Sequence, residues 1–190
     1  DIRSVATLKN GMSDPAPGII RIEKTATDSR THGVSDRRTR DVTHRQWLSG
    51  VGDTISLFDG TSIWLPSAYL RTADSGHWIR VSVLAQPPAG HSPPADFFVP
   101  VRAYRRIEIE DGEHQFSGSV TIEIPYEEED LIVPEDRLGL YWFDPVFRTW
   151  SAIMESRVDT ERNVVIALVD HFSDFAILAR GLALDPARTI

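Results

Sequence analysis

The chain contains no cysteine, which removes disulfides, thiolate nucleophiles and zinc-thiolate sites without identifying a compartment. It also lacks an apolar run near the ~20 residues that a membrane-spanning helix needs, so no membrane insertion is expected. Positive charge is in short supply, with 20 Lys and Arg against 28 Asp and Glu. The shortage is regional: residues 1–50 carry nine basic and six acidic side chains, and residues 51–190 carry 11 and 22. An acidic main region argues against nucleic acid as a partner, because phosphate neutralisation needs a basic face. The basic cluster Arg37-Arg38-Thr39-Arg40 lies among Ser, Thr, Asp and Gly and reads as a solvated loop. The histidines, His32, His44, His77, His91, His114 and His171, show no close ligand spacing. No glycine-rich loop follows a strand and opens a helix, so neither a metal nor a nucleotide cofactor is expected. Asp1 is not followed by the charged and apolar regions of a signal peptide, which is expected to be absent or already removed.

What is present is alternation. A hydrophobic content of 41% over 190 residues suffices for one domain with an appended segment. From Asp1 to Gly50 periodicity is poor apart from Gly18 to Glu23, and this stretch is expected to be a partly flexible arm. Beyond it, Ile55 and Leu57, then Ile63 and Leu65, alternate across Asp59-Gly60, a strong hairpin signal. Ile79, Val81 and Val83 alternate next, then Val120, Ile122 and Ile124, then Val164, Ile166 and Leu168. Turn residues at Asp111-Gly112, Asp144-Pro145 and Asp159 to Asn163 separate these runs, and helical periodicity is confined to a short turn within Glu127 to Asp136. The pattern predicts an all-β, antiparallel β-sandwich over residues 51–180, with an arm over 1–50 and a tail over 181–190.

Two side-chain groups are expected to be structural. Glu127-Glu128-Glu129-Asp130 lacks the alternating Asp/Asn and Gly pattern of a calcium loop and reads as a solvated acidic turn. Trp64, Trp78, Tyr141, Trp142 and Trp150 offer material for a sugar-stacking platform, but Trp142 and Trp150 straddle a hairpin and are expected to pack across it.

The chemistry concentrates at His171-Phe172-Ser173, between the apolar runs that end at Val169 and begin at Phe175. Ser173 is placed to attack the carbonyl carbon of Phe172 and exchange the amide for an ester, with His171 as proton carrier near neutral pH. Water then separates Phe172 from Ser173. Phe172 would be the buried anchor that holds the peptide out of its relaxed geometry, and the reaction needs donors for the developing oxyanion. Asp170 and Asp174 flank the triplet, but regular alternation turns both away from the side of His171 and Ser173, so they rank below it.

In its position at a late strand junction, His171-Phe172-Ser173 resembles the motif of autoproteolytic ZU-type and GAIN-type domains. Thr54 to Pro66 resembles the opening strand-turn-strand-Pro signature of the ZU-type (ZU-five) family, and Phe116 to Tyr126 its later strand ending in Ile-Pro. The resemblance covers residues 50–180 or so. It departs at Ser67-Ala68-Tyr69-Leu70, where a Gly-Ala turn is usual, and at the Pro-rich loop Ala85 to Asp96. It implies a module of a larger protein such as a netrin receptor, ankyrin-like protein or death-domain scaffold, with a protein or adjacent domains of the same polypeptide as partner. An extracellular or cell-surface setting is favoured. Self-cleavage would be a single turnover, and no enzyme acting in trans is expected. A non-cleaving adhesion or scaffold module and a carbohydrate-binding module remain open as alternatives.

Overall fold

The computed structural model describes residues 41–49, 51–67, 77–100, 102–110 and 115–180. They form two antiparallel sheets packed face to face. In chain order the strands are β1 (Val42–Leu48), β2 (Val51–Ser56), β3 (Ser62–Ser67), β4 (His77–Leu84), β5 (Phe97–Phe98), β6 (Tyr104–Ile109), β7 (Gln115–Pro125), β8 (Leu138–Asp144), β9 (Thr149–Ala152), β10 (Arg157–Asp159), β11 (Val164–His171) and β12 (Asp174–Arg180). One sheet runs β1-β4-β6-β12-β8-β9 with β5 also paired to β12, and the other β10-β11-β7-β3-β2. Short 3-10 turns at Glu128–Asp130 and Glu135–Arg137 occupy the stretch where a turn is expected. Of the arm expected over residues 1–50, residues 1–40 lie outside the described residues, as does the tail expected over 181–190. Val42–Leu48, inside the expected arm, is instead a strand of the first sheet, in register with His77–Val83 of β4. As an edge strand it contributes one fully buried side chain, Leu48, which is why its pattern is faint.

The alternating runs become the facing surfaces of the sandwich. Ile55, Ile63, Ile79, Val81, Val83, Val120, Ile122 and Ile124 are all fully buried between the sheets. β11 differs from the expectation. Its inward residues are Val165, Ala167 and Val169, opposite Ile124, Ile122 and Val120 of β7, while Val164, Ile166 and Leu168 face outward. Val164 to Val169 is apolar at every position, so alternation cannot choose a face there; the partner strand does. β12 is likewise apolar from Phe175 to Ala179, for a different reason. Phe175, Ile177 and Ala179 enter the core between the sheets, whereas Ala176 and Leu178 join a second cluster with Tyr104, Phe143 and Trp150 on the outer face. The first sheet is thus buried on both sides around β12, while the side chains of Arg80 and Glu108 on β4 and β6 stay partly exposed. The segment after β4, which includes the Pro-rich loop, covers part of the outer side: Phe97 and Val99 pack on that cluster beside Leu84 at the end of β4, and Trp150 Nε1 donates to the His91 carbonyl at 2.7 Å.

Among the described residues, Arg105 is the most deeply buried charged side chain. Arg105 of β6 sits between Val83 and Phe175 in the sheet, faces inward and is 2% exposed. Its guanidinium crosses to the other sheet, donating from Nη2 to Asp59 Oδ2 at 2.6 Å and from Nε to Thr61 Oγ1 at 2.9 Å. Asp59 also accepts from the Thr61 amide and hydroxyl, each at 3.1 Å. The hairpin turn can present this carboxylate because Gly60 takes a φ of +90° at no steric cost. Burial pulls the Arg105 guanidinium down to about 10, with Asp59 opposing the shift and the neighbouring Arg102 adding to it.

At the sheet edge, Arg45 Nε and Nη2 grip the Glu110 carboxylate and Arg80 Nη2 joins it at 2.6 Å, tying β1 and β4 to the end of β6. The hydrogen bonds from Arg45 hold Glu110 below its ordinary 4.5 against the opposing effect of burial.

Two outcomes follow from these contacts. Asp59→Ala strands the Arg105 charge in the core, and Arg105→Met strands the Asp59 carboxylate, whose side chain is 8% exposed. Urea denaturation should show a loss of about 3–5 kcal/mol for Asp59→Ala, and a smaller loss when both are replaced together, because no unpaired charge is then left. Glu110 binds protons less readily folded than unfolded, so its stabilisation is complete above its unfolded pKa and disappears as pH falls through the folded value. Glu110→Gln should therefore lower stability by about 1 kcal/mol or less at neutral pH, with the difference from wild type closing as the pH falls below the ordinary carboxylate range.

Candidate functional site

The triplet is the crossover between the two sheets. β11 ends at His171 in one sheet and β12 begins at Asp174 in the other, so Phe172 and Ser173 alone carry the chain across. Phe172 is 4% exposed and packs in the core between the sheets, as an anchor should. The Ser173 carbonyl accepts from the Ile107 amide of β6 at 3.1 Å, and its hydroxyl donates to the Phe143 carbonyl of β8 at 3.2 Å. The peptide bond between them is thus held from two directions: by a ring wedged in the core and by the backbones of two strands. Left-handed backbone at non-glycine residues occurs at Arg102, Arg148 and Asn163, not in the triplet.

His171 does not share a cleft with Ser173. Its ring meets the Trp142 ring edge to face at 4.5 Å and lines a hollow with Trp142, Met154, Leu168 and Phe175. Its Nδ1 lies 2.7 Å from Asp170 Oδ1. An ionised carboxylate only accepts, so Nδ1 carries the proton and Nε2, buried and unpartnered, keeps a free lone pair. The hydrogen bond from His171 holds Asp170 below its ordinary 3.8. Alternation had turned Asp170 away from His171. The ladder shifts register between Val169 and His171, and this irregularity breaks the period of two on which that expectation rested.

Ser173 opens instead onto a cleft of about 390 Å³ on the other side of the crossover, lined by His91, Arg106, Phe143, Phe172, Ser173 and Asp174 among others. Asp174 is 8% exposed. Arg106, its cross-strand partner, holds it through Nε at 2.7 Å and Nη2 at 3.0 Å. His91 arrives from the Pro-rich loop and stacks on Phe143, centroids 3.6 Å apart and planes 13° from parallel. Its Nδ1 is 2.7 Å from Asp174 Oδ2, off the line of an ideal N–H bond, and is buried. Sequence reasoning missed His91 and ranked Asp174 below the triplet, because regular alternation turns it away from Ser173. No spacing rule joins a loop histidine to a serine eighty residues on (residues 91 and 173); the one local signal was Asp174 beside Ser173.

The two tryptophans of the β8-β9 hairpin face opposite ways. Trp142 stands opposite Ser151 and Phe143 opposite Trp150, so Trp142 borders the inner core with His171 while Trp150 is buried in the outer cluster. The expected packing of one on the other is replaced by edge-to-face contact of Trp150 with Phe143 at 5.5 Å. Exposed Trp47 and Trp64 belong to different sheets, β1 and β3. Compared with family models and with curated proteins, the chain matches no family model and no curated protein.

Trp150 couples the Pro-rich loop to the hairpin. Trp150→Ala should cost about 3–5 kcal/mol, typical of a large buried aromatic, and should speed limited proteolysis between residues 85 and 96. A melt and a digest of the same variant check both, and loop cleavage unchanged from wild type would show that Trp150 does not secure the loop.

Proposed function

We propose that this β-sandwich is a structural or interaction module of ZU type within a larger protein, and that it cleaves itself once between Phe172 and Ser173. The observation that carries the proposal is the double anchoring of that peptide at the sheet crossover: Phe172 in the core on one side, and Ser173 tied to Ile107 and Phe143 on the other. A peptide gripped at both ends by separate parts of the fold is one that the fold can twist. The Ser173 oxygen attacks the Phe172 carbonyl carbon and the C–N bond breaks. The hydroxyl proton passes through an imidazole to the departing nitrogen, and water hydrolyses the ester. The product remains one particle, because β12 keeps its ladders with β6, β8 and β5 and its apolar faces stay buried. Such a break relieves a mechanical link without dissolving the domain, which suits a module between other domains or against a protein partner.

A second reading, a scaffold that never cuts, draws on the bond from the Ser173 hydroxyl to the Phe143 carbonyl. In that role serine secures the crossover and is not a nucleophile. Denaturing mass spectrometry of the purified chain separates the two. Self-cleavage gives fragments 1–172 and 173–190 that elute together under native conditions; Ser173→Ala gives one intact, folded species, and Ser173→Cys retains part of the cleavage. A wild-type chain that stays intact after long incubation across pH and in mild denaturant selects the scaffold.

A further inference from the structure

We infer that His91, and not the motif's own His171, is the proton carrier for Ser173, an inference that rests on the self-cleavage reading. The crossover separates the two histidines. His171 looks into the hollow beside Trp142 and Met154, while His91 shares the cleft of about 390 Å³ that Ser173 lines. His91 is also fixed where it stands: its ring stacks on Phe143, the residue whose carbonyl receives the Ser173 hydroxyl, and its backbone carbonyl receives Trp150 Nε1 at 2.7 Å.

The neighbouring charges favour one tautomer. Asp174 Oδ2, 2.7 Å from His91 Nδ1 but off the line of an ideal N–H bond, belongs to a carboxylate that Arg106 grips by bonds at 2.7 and 3.0 Å. In the tautomer with the proton on Nδ1, a small turn of the ring brings that N–H onto Asp174 Oδ2 and leaves Nε2 with the lone pair that a general base requires. Serine, histidine and aspartate thus line one cleft, the aspartate orienting the imidazole as the third member of a nucleophilic triad does. In the reaction the Ser173 hydroxyl leaves the Phe143 carbonyl and its oxygen bonds to the Phe172 carbonyl carbon. Its proton moves to His91 Nε2 and from there to the Ser173 nitrogen as the C–N bond breaks. Asp174 takes up no proton in these steps and is a positioning residue.

The test measures the rate at which fragment 173–190 appears in denaturing mass spectra of the full chain. His91→Ala should slow it by about 100-fold or more, and free imidazole in the buffer should restore part of the rate. His91→Phe keeps the stack on Phe143 and the backbone bond to Trp150 but supplies no base; it should melt near the wild-type temperature and cleave as slowly as His91→Ala, without rescue. His171→Ala should stay within about threefold of wild type, since losing a packed ring changes no proton transfer. A folded His91→Phe that cleaves at the wild-type rate, or a large slowing confined to His171→Ala, overturns the assignment while leaving self-cleavage in place. A wild-type chain that never cleaves removes both.

Discussion

The sandwich is organised around a guanidinium in its core. A side chain as costly to desolvate as Arg105 persists between sheets only if its partners are delivered to fixed points, and here they come from the turn between β2 and β3 in the opposite sheet. The Asp59 carboxylate and Thr61 hydroxyl meet Arg105 at 2.6 and 2.9 Å. Apolar contact tolerates sliding between sheets, and this set of directional bonds does not. It therefore fixes which part of one sheet faces which part of the other, and with it the place where the chain crosses between them.

That crossover determines the chemistry available. Because β11 belongs to one sheet and β12 to the other, two residues pass from the inner face of the sandwich to the outer side of the first sheet. His171 ends the strand before the passage and Ser173 is the passage's second residue, and the two, though two apart in sequence, open onto separate hollows. The Pro-rich loop is what closes the second hollow. It covers the outer cluster, brings His91 over Phe143 and completes a cleft with Asp174 and Arg106.

The parts of this structure legible in the sequence are those set by local physics. Asp59-Gly60 between alternating pairs defined a hairpin because a positive-φ glycine and the period of two both act over a few residues. Val120, Ile122 and Ile124 showed their buried face because polar residues stand between them. β11 hid its face because its run from Val164 to Val169 has no polar residue to mark the outside. β1 was obscured by carrying one buried side chain at a sheet edge. At the site, Phe172 was recognisable as an anchor from its place between two strands. His91 was not, since only the folding of a long loop onto a distant strand brings it near Ser173. The link from Asp170 to His171 depends on a register shift after Val169 that no composition rule signals.

The position of β12 has a consequence for how the molecule comes to be folded. This strand is the latest of the twelve in the chain, yet it lies in the interior of its sheet, with β6 on one side and β8 on the other. During synthesis the first sheet has a slot down its middle until residue 180 has emerged, and Arg105 and Leu140 wait beside it without Phe175 and Ile177, their neighbours in register. Everything made earlier is an open sheet with two unpaired interior edges, the arrangement most prone to pair with another chain. The closing contacts with β6 join residues about seventy positions apart, a separation that slows folding. The domain thus completes itself with its last strand, and that strand enters through the crossover that carries the candidate site.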